Sequence, residues 1–75
     1  MEKLFKDVKQ NLGKLIEKKR NETGLTYLYL ETNGYISRKG LEKITKGISA
    51  CTIDTLCMLI DLLKISSKEL INAFF

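Results

Sequence analysis

Gly24, Gly34 and Gly47 stand ten and thirteen residues apart in the middle of a 75-residue chain that contains no proline. Glycine accepts the left-handed backbone that closes a helix, so each marks a stop for a helix arriving from its N-terminal side. The spacing leaves room for one long helix before Gly24, and then only for helices of two or three turns up to Gly47. A chain of this length buries roughly 60–65% of its extended surface and supports a single core. Any function therefore sits on the outside of one small domain.

Residues 3–22 place Leu4, Phe5, Val8, Leu12, Leu15 and Ile16 at spacings of three and four, the apolar stripe of an amphipathic helix. Gly24 ends it, and Lys18, Lys19 and Arg20 suit the negative end of its dipole. Gly13 inside this segment costs about 1 kcal/mol relative to alanine and suggests a bend or a late start. Thr26 is an N-cap for a second helix over 26–33, with Leu30 as its inward anchor. By propensity alone Thr26 to Leu30 reads as a strand, but such a strand has no partner elsewhere in the chain.

Ser37 caps a third helix over 37–46, in which Leu41 and Ile44 point inward and Arg38, Lys39, Glu42, Lys43 and Lys46 occupy the other faces. Thr52 caps a fourth helix over 52–63, whose Ile53, Leu56, Leu59, Ile60 and Leu63 are expected to bury. Ser66 and Glu69 form a capping box that opens a last helix over 66–74, carrying Leu70, Ile71, Phe74 and Phe75. The expected fold is all-α: a compact five-helix domain spanning residues 1–75.

The charge is unevenly placed. Thirteen basic and nine acidic residues give +4. Residues 1–23 hold seven basic and four acidic side chains, residues 24–47 four and two, and residues 48–75 two and three. A basic first two-thirds favours nucleic acid or an acidic protein surface as partner. With no histidine, no metal-ligand spacing, no nucleophile–base arrangement and no phosphate-cradling glycine loop, nothing points to an enzyme, a metal or a cofactor. Cys51 and Cys57 are six apart and leave a helix on different faces, which does not suit a mutual bridge. With no signal peptide and no long apolar run, the chain reads as cytoplasmic and without a membrane partner.

From about Leu12 to Ile71 the chain resembles the lambda-repressor-like (XRE) helix-turn-helix family. Three stretches carry the likeness in register: Arg20 with Gly24-Leu25-Thr26; Ile36-Ser37, Leu41 and Thr45 through Gly47; and Leu56, Leu59-Ile60, Leu63, Ile65-Ser66 and Glu69-Leu70. Ile36-Ser37-Arg38-Lys39 and Lys46-Gly47-Ile48-Ser49 are most similar to the N-terminal DNA-binding domains of Rgg/PlcR-type regulators. The resemblance implies sequence-specific binding of double-stranded DNA, transcription regulation, a homodimer on a palindromic site, and an effector-binding domain outside these residues. Where the family has a glutamine, an alanine, a turn glycine, a glutamate and a proline, this chain has Tyr27, Glu31, Tyr35, Thr45 and Cys51. Glu31 at a tight helix contact must reach solvent or find a partner such as a lysine, or the two helices must sit farther apart than usual.

Under that resemblance, Arg38, Lys39, Glu42 and Lys43 are the base-reading candidates. Arginine and lysine donate to guanine O6 and N7, and glutamate accepts from cytosine N4. Arg20, Thr26, Tyr27, Ser37, Lys46, Ser49 and Thr52 are candidates for phosphate positioning, and Ile71, Phe74 and Phe75 for dimerisation. Gly40 stands where a side chain commonly faces the groove. Two plainer readings stay open: the basic residues as a solvated helix face, and Thr26, Ser37 and Thr52 as caps only. The competing function is an antirepressor-like protein-interaction module that keeps the scaffold and has lost DNA reading.

Overall fold

The computed structural model describes residues 2–48 and 52–74, with side chains from Asp7 onward. Ser49, Cys51, Phe75 and the side chains of Leu4 and Phe5 lie outside the described residues. Among the described residues five helices follow in order: α1 (Glu2–Thr23), α2 (Tyr27–Thr32), α3 (Arg38–Thr45), α4 (Ile53–Leu63) and α5 (Ser67–Phe74). There is no strand among the described residues. The Cα radius of gyration is 11.7 Å, close to the ~11 Å of a compact chain of this length. No described helix is long and apolar enough to cross a membrane.

The helix starts follow the expected chemistry. Thr26, Ser37 and Thr52 hold extended backbone, and their side-chain oxygens accept from the amides of Tyr29, Gly40 and Thr55. Ser66 and Glu69 complete the capping box reciprocally: Glu69 N–H donates to Ser66 Oγ, and Ser66 N–H donates to Glu69 Oε1, both at 3.1 Å. At the other ends, Gly34 and Gly47 adopt φ of 75° and 74°. The following amides, of Tyr35 and Ile48, reach back to the carbonyls of Leu30 and Lys43 at 2.9 Å, the bonding of a Schellman close. α4 ends the same way without a glycine. Lys64 takes φ 54°, and Ile65 N–H bonds to Ile60 O.

Among the described residues one core cluster is formed by Leu12 and Ile16 of α1, Leu30 of α2, Leu41 and Ile44 of α3, Leu59 and Leu63 of α4, and Ile65. α1 is the hub, packing against α3, α4 and α5, while α2 rests on α3. Gly13 does not mark a bend or a late start, since α1 runs on through it. A Cβ there would lie 2.5 Å from Ile44 O and 2.7 Å from Thr45 O. The missing side chain lets the end of α3 sit directly on α1.

One apolar expectation is corrected: Ile53, at the first residue of α4, is 74% exposed rather than buried. Ile71, a dimerisation candidate, is 56% exposed. Phe74, by contrast, folds back and packs against the core cluster beside Leu70.

Candidate nucleic-acid interface

The features that could meet a nucleic acid converge on α3. Leu41 and Ile44, three apart, are buried and seat the helix on α1. The remaining positions turn Arg38, Lys39, Lys43 and Lys46 fully outward, with Glu42 half-buried. Lys39, Lys43 and Lys46 follow the i, i+4, i+7 spacing of one helical stripe and form no ion pair among the described residues.

Arg38 and Glu42, on the neighbouring stripe, are engaged with each other. Arg38 Nε donates to Glu42 Oε1 at 3.2 Å. The Arg38 guanidinium also lies over the ring of Tyr27, with Cζ 5.7 Å from the ring centroid. It keeps 67% of its side-chain surface exposed.

Glu31 finds a partner other than a lysine. Its Oε2 accepts from the backbone N–H of Arg38 at 2.8 Å. α3 therefore begins with two supplied acceptors, the Ser37 hydroxyl for Gly40 N–H and the Glu31 carboxylate for Arg38 N–H. A carboxylate is well placed at this positive end of the helix, and it ties α2 to α3 across the turn. Gly40 is half-buried rather than open to a groove: a Cβ there would meet Ser37 Oγ at 3.1 Å and Ile36 Cγ1 at 3.6 Å.

The phosphate-positioning candidates divide. Lys46 is exposed at the end of α3. Thr26, Ser37 and Thr52 use their hydroxyls as caps. Arg20 and Tyr27 instead lock α1 to α2. Arg20 bonds to both oxygens of Glu17, to Leu25 O at 3.0 Å and to Asn21 Oδ1 at 3.2 Å, leaving its side chain 13% exposed. Its guanidinium stacks 4.3 Å from the centre of the Tyr27 ring, and the Tyr27 hydroxyl donates to Glu17 Oε2 at 3.0 Å. The bond from Arg20 lowers the Glu17 carboxyl pKa below its ordinary 4.5, against the opposing effect of burial and with help from Tyr27; Glu17 in turn raises the Arg20 pKa.

Elsewhere on the surface, Tyr29 and Tyr35 are exposed and lie side by side, ring centroids 6.4 Å apart, with Leu28 exposed on the same short helix. Lys19 joins α1 to the α5 capping box through Glu69 at 3.4 Å and pairs with Glu22 at 3.5 Å. Of the three dimerisation candidates, Ile71 is outward and Phe74 inward. Sequence reasoning missed the Glu31 cap and the Glu17–Arg20–Tyr27 lock. An acid placed just before a turn that leads into a helix start was the available signal for the first.

No protein-family model, no curated protein and no solved structure matches the chain.

Proposed function

We propose that the chain binds double-stranded DNA sequence-specifically through α3 and acts as a transcription regulator of the lambda-repressor-like helix-turn-helix type. The observation that carries this reading is α3 itself. It is a short, doubly capped basic helix, seated on α1 through Leu41, Ile44 and the Gly13 notch, with Arg38, Lys39, Lys43 and Lys46 turned outward. A helix of this kind fits the major groove, and a preceding helix braced across the turn is what holds a recognition helix at a fixed angle.

In this reading Arg38, Lys39 and Lys43 face the bases and neighbouring phosphates, Lys46 adds a phosphate contact, and Arg20 and Tyr27 brace the frame. One such helix touches few base pairs. A homodimer on a palindrome, with half-sites about 34–36 Å apart, doubles the contact. Exposed Ile71 on α5 supports such a pairing, in the cytoplasm where DNA is met. Selection of duplexes from a random pool, with the stoichiometry of the bound species, tests the reading. The chain should enrich a palindrome and lose affinity steeply with salt. Joint charge reversal, Arg38→Glu with Lys39→Glu and Lys43→Glu, should abolish binding; unchanged binding would rule out α3 as the DNA surface.

A second reading has its own observation. Glu31 and Glu42 place two carboxylates against the start of α3, and Leu28 and Tyr29 of α2 and Tyr35 after it are exposed. Those features suit an antirepressor-like module that binds a protein. A stoichiometric protein complex, with no duplex binding at low salt, would decide for it.

A further inference from the structure

We infer that Arg38 is a pre-positioned reader of a single guanine in each half-site, and that Tyr27 and Glu42 are its positioning residues rather than DNA contacts. The inference rests on the DNA reading proposed above and goes beyond it by assigning the guanine to Arg38 alone and by making Tyr27 and Glu42 its supports.

Among the outward basic residues of α3, only Arg38 is held at several points. Its backbone N–H is taken by Glu31 at 2.8 Å, its Nε–H by Glu42 at 3.2 Å, and its planar group lies over Tyr27 at 5.7 Å. Tyr27 is itself fixed, its hydroxyl on Glu17 and its ring against Arg20. The platform under Arg38 is thus anchored to α1, the hub of the fold.

This geometry matters because of how a guanidinium is built. Its five N–H groups form a rigid planar fork. With Nε–H donated to Glu42 along the helix surface, the two Nη groups make no hydrogen bond among the described residues and are left at the exposed end of the side chain. That end is the part of the fork that donates in parallel to O6 and N7 of guanine. A side chain already held in one orientation loses less freedom on binding, so more of each hydrogen bond appears as discrimination. Lys39, Lys43 and Lys46 have no such supports among the described residues; as flexible point charges they suit phosphates. Glu42, committed to Arg38, does not read a cytosine.

The test compares base preference position by position, using duplexes enriched by the wild-type chain and variants whose folding is checked by circular dichroism. Wild type should show one guanine per half-site whose replacement by adenine, or by 7-deazaguanine, weakens binding about 10-fold or more. Arg38→Ala should erase that preference at that position alone. Glu42→Ala should lower discrimination at the same position while raising affinity for unrelated duplex. Tyr27→Leu should lower the discrimination by about 2- to 5-fold, the worth of an exposed cation–π contact, and Tyr27→Phe, which keeps the ring but not its bond to Glu17, should retain more of it than Tyr27→Leu.

Three results would overturn the inference while leaving DNA binding intact: no guanine that depends on Arg38, relaxation of a separate cytosine position by Glu42→Ala, or wild-type discrimination by Tyr27→Leu. Absence of any duplex binding by the wild-type chain at low salt would instead remove the DNA reading, and this inference with it.

Discussion

Replacing Gly13 by alanine should destabilise this protein, although helix propensity alone argues for the reverse. In the interior of a helix the change is worth about 1 kcal/mol in favour of alanine. Here the new Cβ would lie 2.5 Å from Ile44 O and 2.7 Å from Thr45 O, where ordinary contact begins at 3.4 Å. Both atoms are backbone, so neither can rotate aside; α3 would have to retreat from α1 by about 0.9 Å. Forcing a methyl into a packed contact costs about 1–3 kcal/mol, and two backbone atoms that cannot rotate aside put this contact at about 2–3 kcal/mol. After the propensity gain, a net loss of about 1–2 kcal/mol remains. For a domain of this size that lowers Tm by about 4–16 °C. Urea and thermal unfolding of the two chains measure it, with Gly40→Ala as control. The Gly40 site is crowded by side-chain atoms, Ser37 Oγ at 3.1 Å and Ile36 Cγ1 at 3.6 Å, which can adjust. That control keeps the propensity gain and should be as stable as wild type or up to about 1 kcal/mol more so. If Gly13→Ala is as stable as wild type or more so, the proposed tight seating of α3 on α1 is wrong.

Further outcomes follow from the same contacts. Glu31→Ala removes the acceptor at Arg38 N–H and should cost about 0.5–2 kcal/mol, as loss of a helix cap does; under the DNA reading its duplex affinity at fixed salt should rise, because a negative charge leaves the surface. Lys64→Gly relieves a left-handed backbone held by a residue with a Cβ and should stabilise by about 1 kcal/mol, read as a higher urea midpoint. Because the folded pKa of Glu17 is depressed, its stabilising contribution is present above the ordinary carboxylate pKa of 4.5 and is lost as pH falls through the lower folded value. Unfolding midpoints taken at neutral pH, near pH 4.5 and below should therefore converge for wild type and Glu17→Gln as the solution becomes acidic. Glu69, depressed chiefly by the Ser66 backbone N–H, should behave in the same sense.

The sequence by itself determined the punctuation of this fold. A cap acts over three residues and a Schellman close over five, so Thr26, Ser37, Thr52, the Ser66–Glu69 box and the stops at Gly34 and Gly47 are written in local order. Each is found within a residue or so of its expected place. The inward anchors Leu30, Leu41, Ile44, Leu59 and Leu63 were equally legible, since helical period sorts faces before any packing occurs. Tertiary structure alone decided what those helices do to one another. Gly13 meets carbonyls more than thirty residues away. Glu31 reaches the start of the next helix, and the Tyr27 hydroxyl turns back to Glu17. Periodicity marks the apolar face of a helix, but not where along its length another helix will cross. Polar side chains carry even less of that information, because glutamate, tyrosine and arginine are satisfied by water or by any well-placed partner. Which partner they take is settled only when the core has brought the helices together.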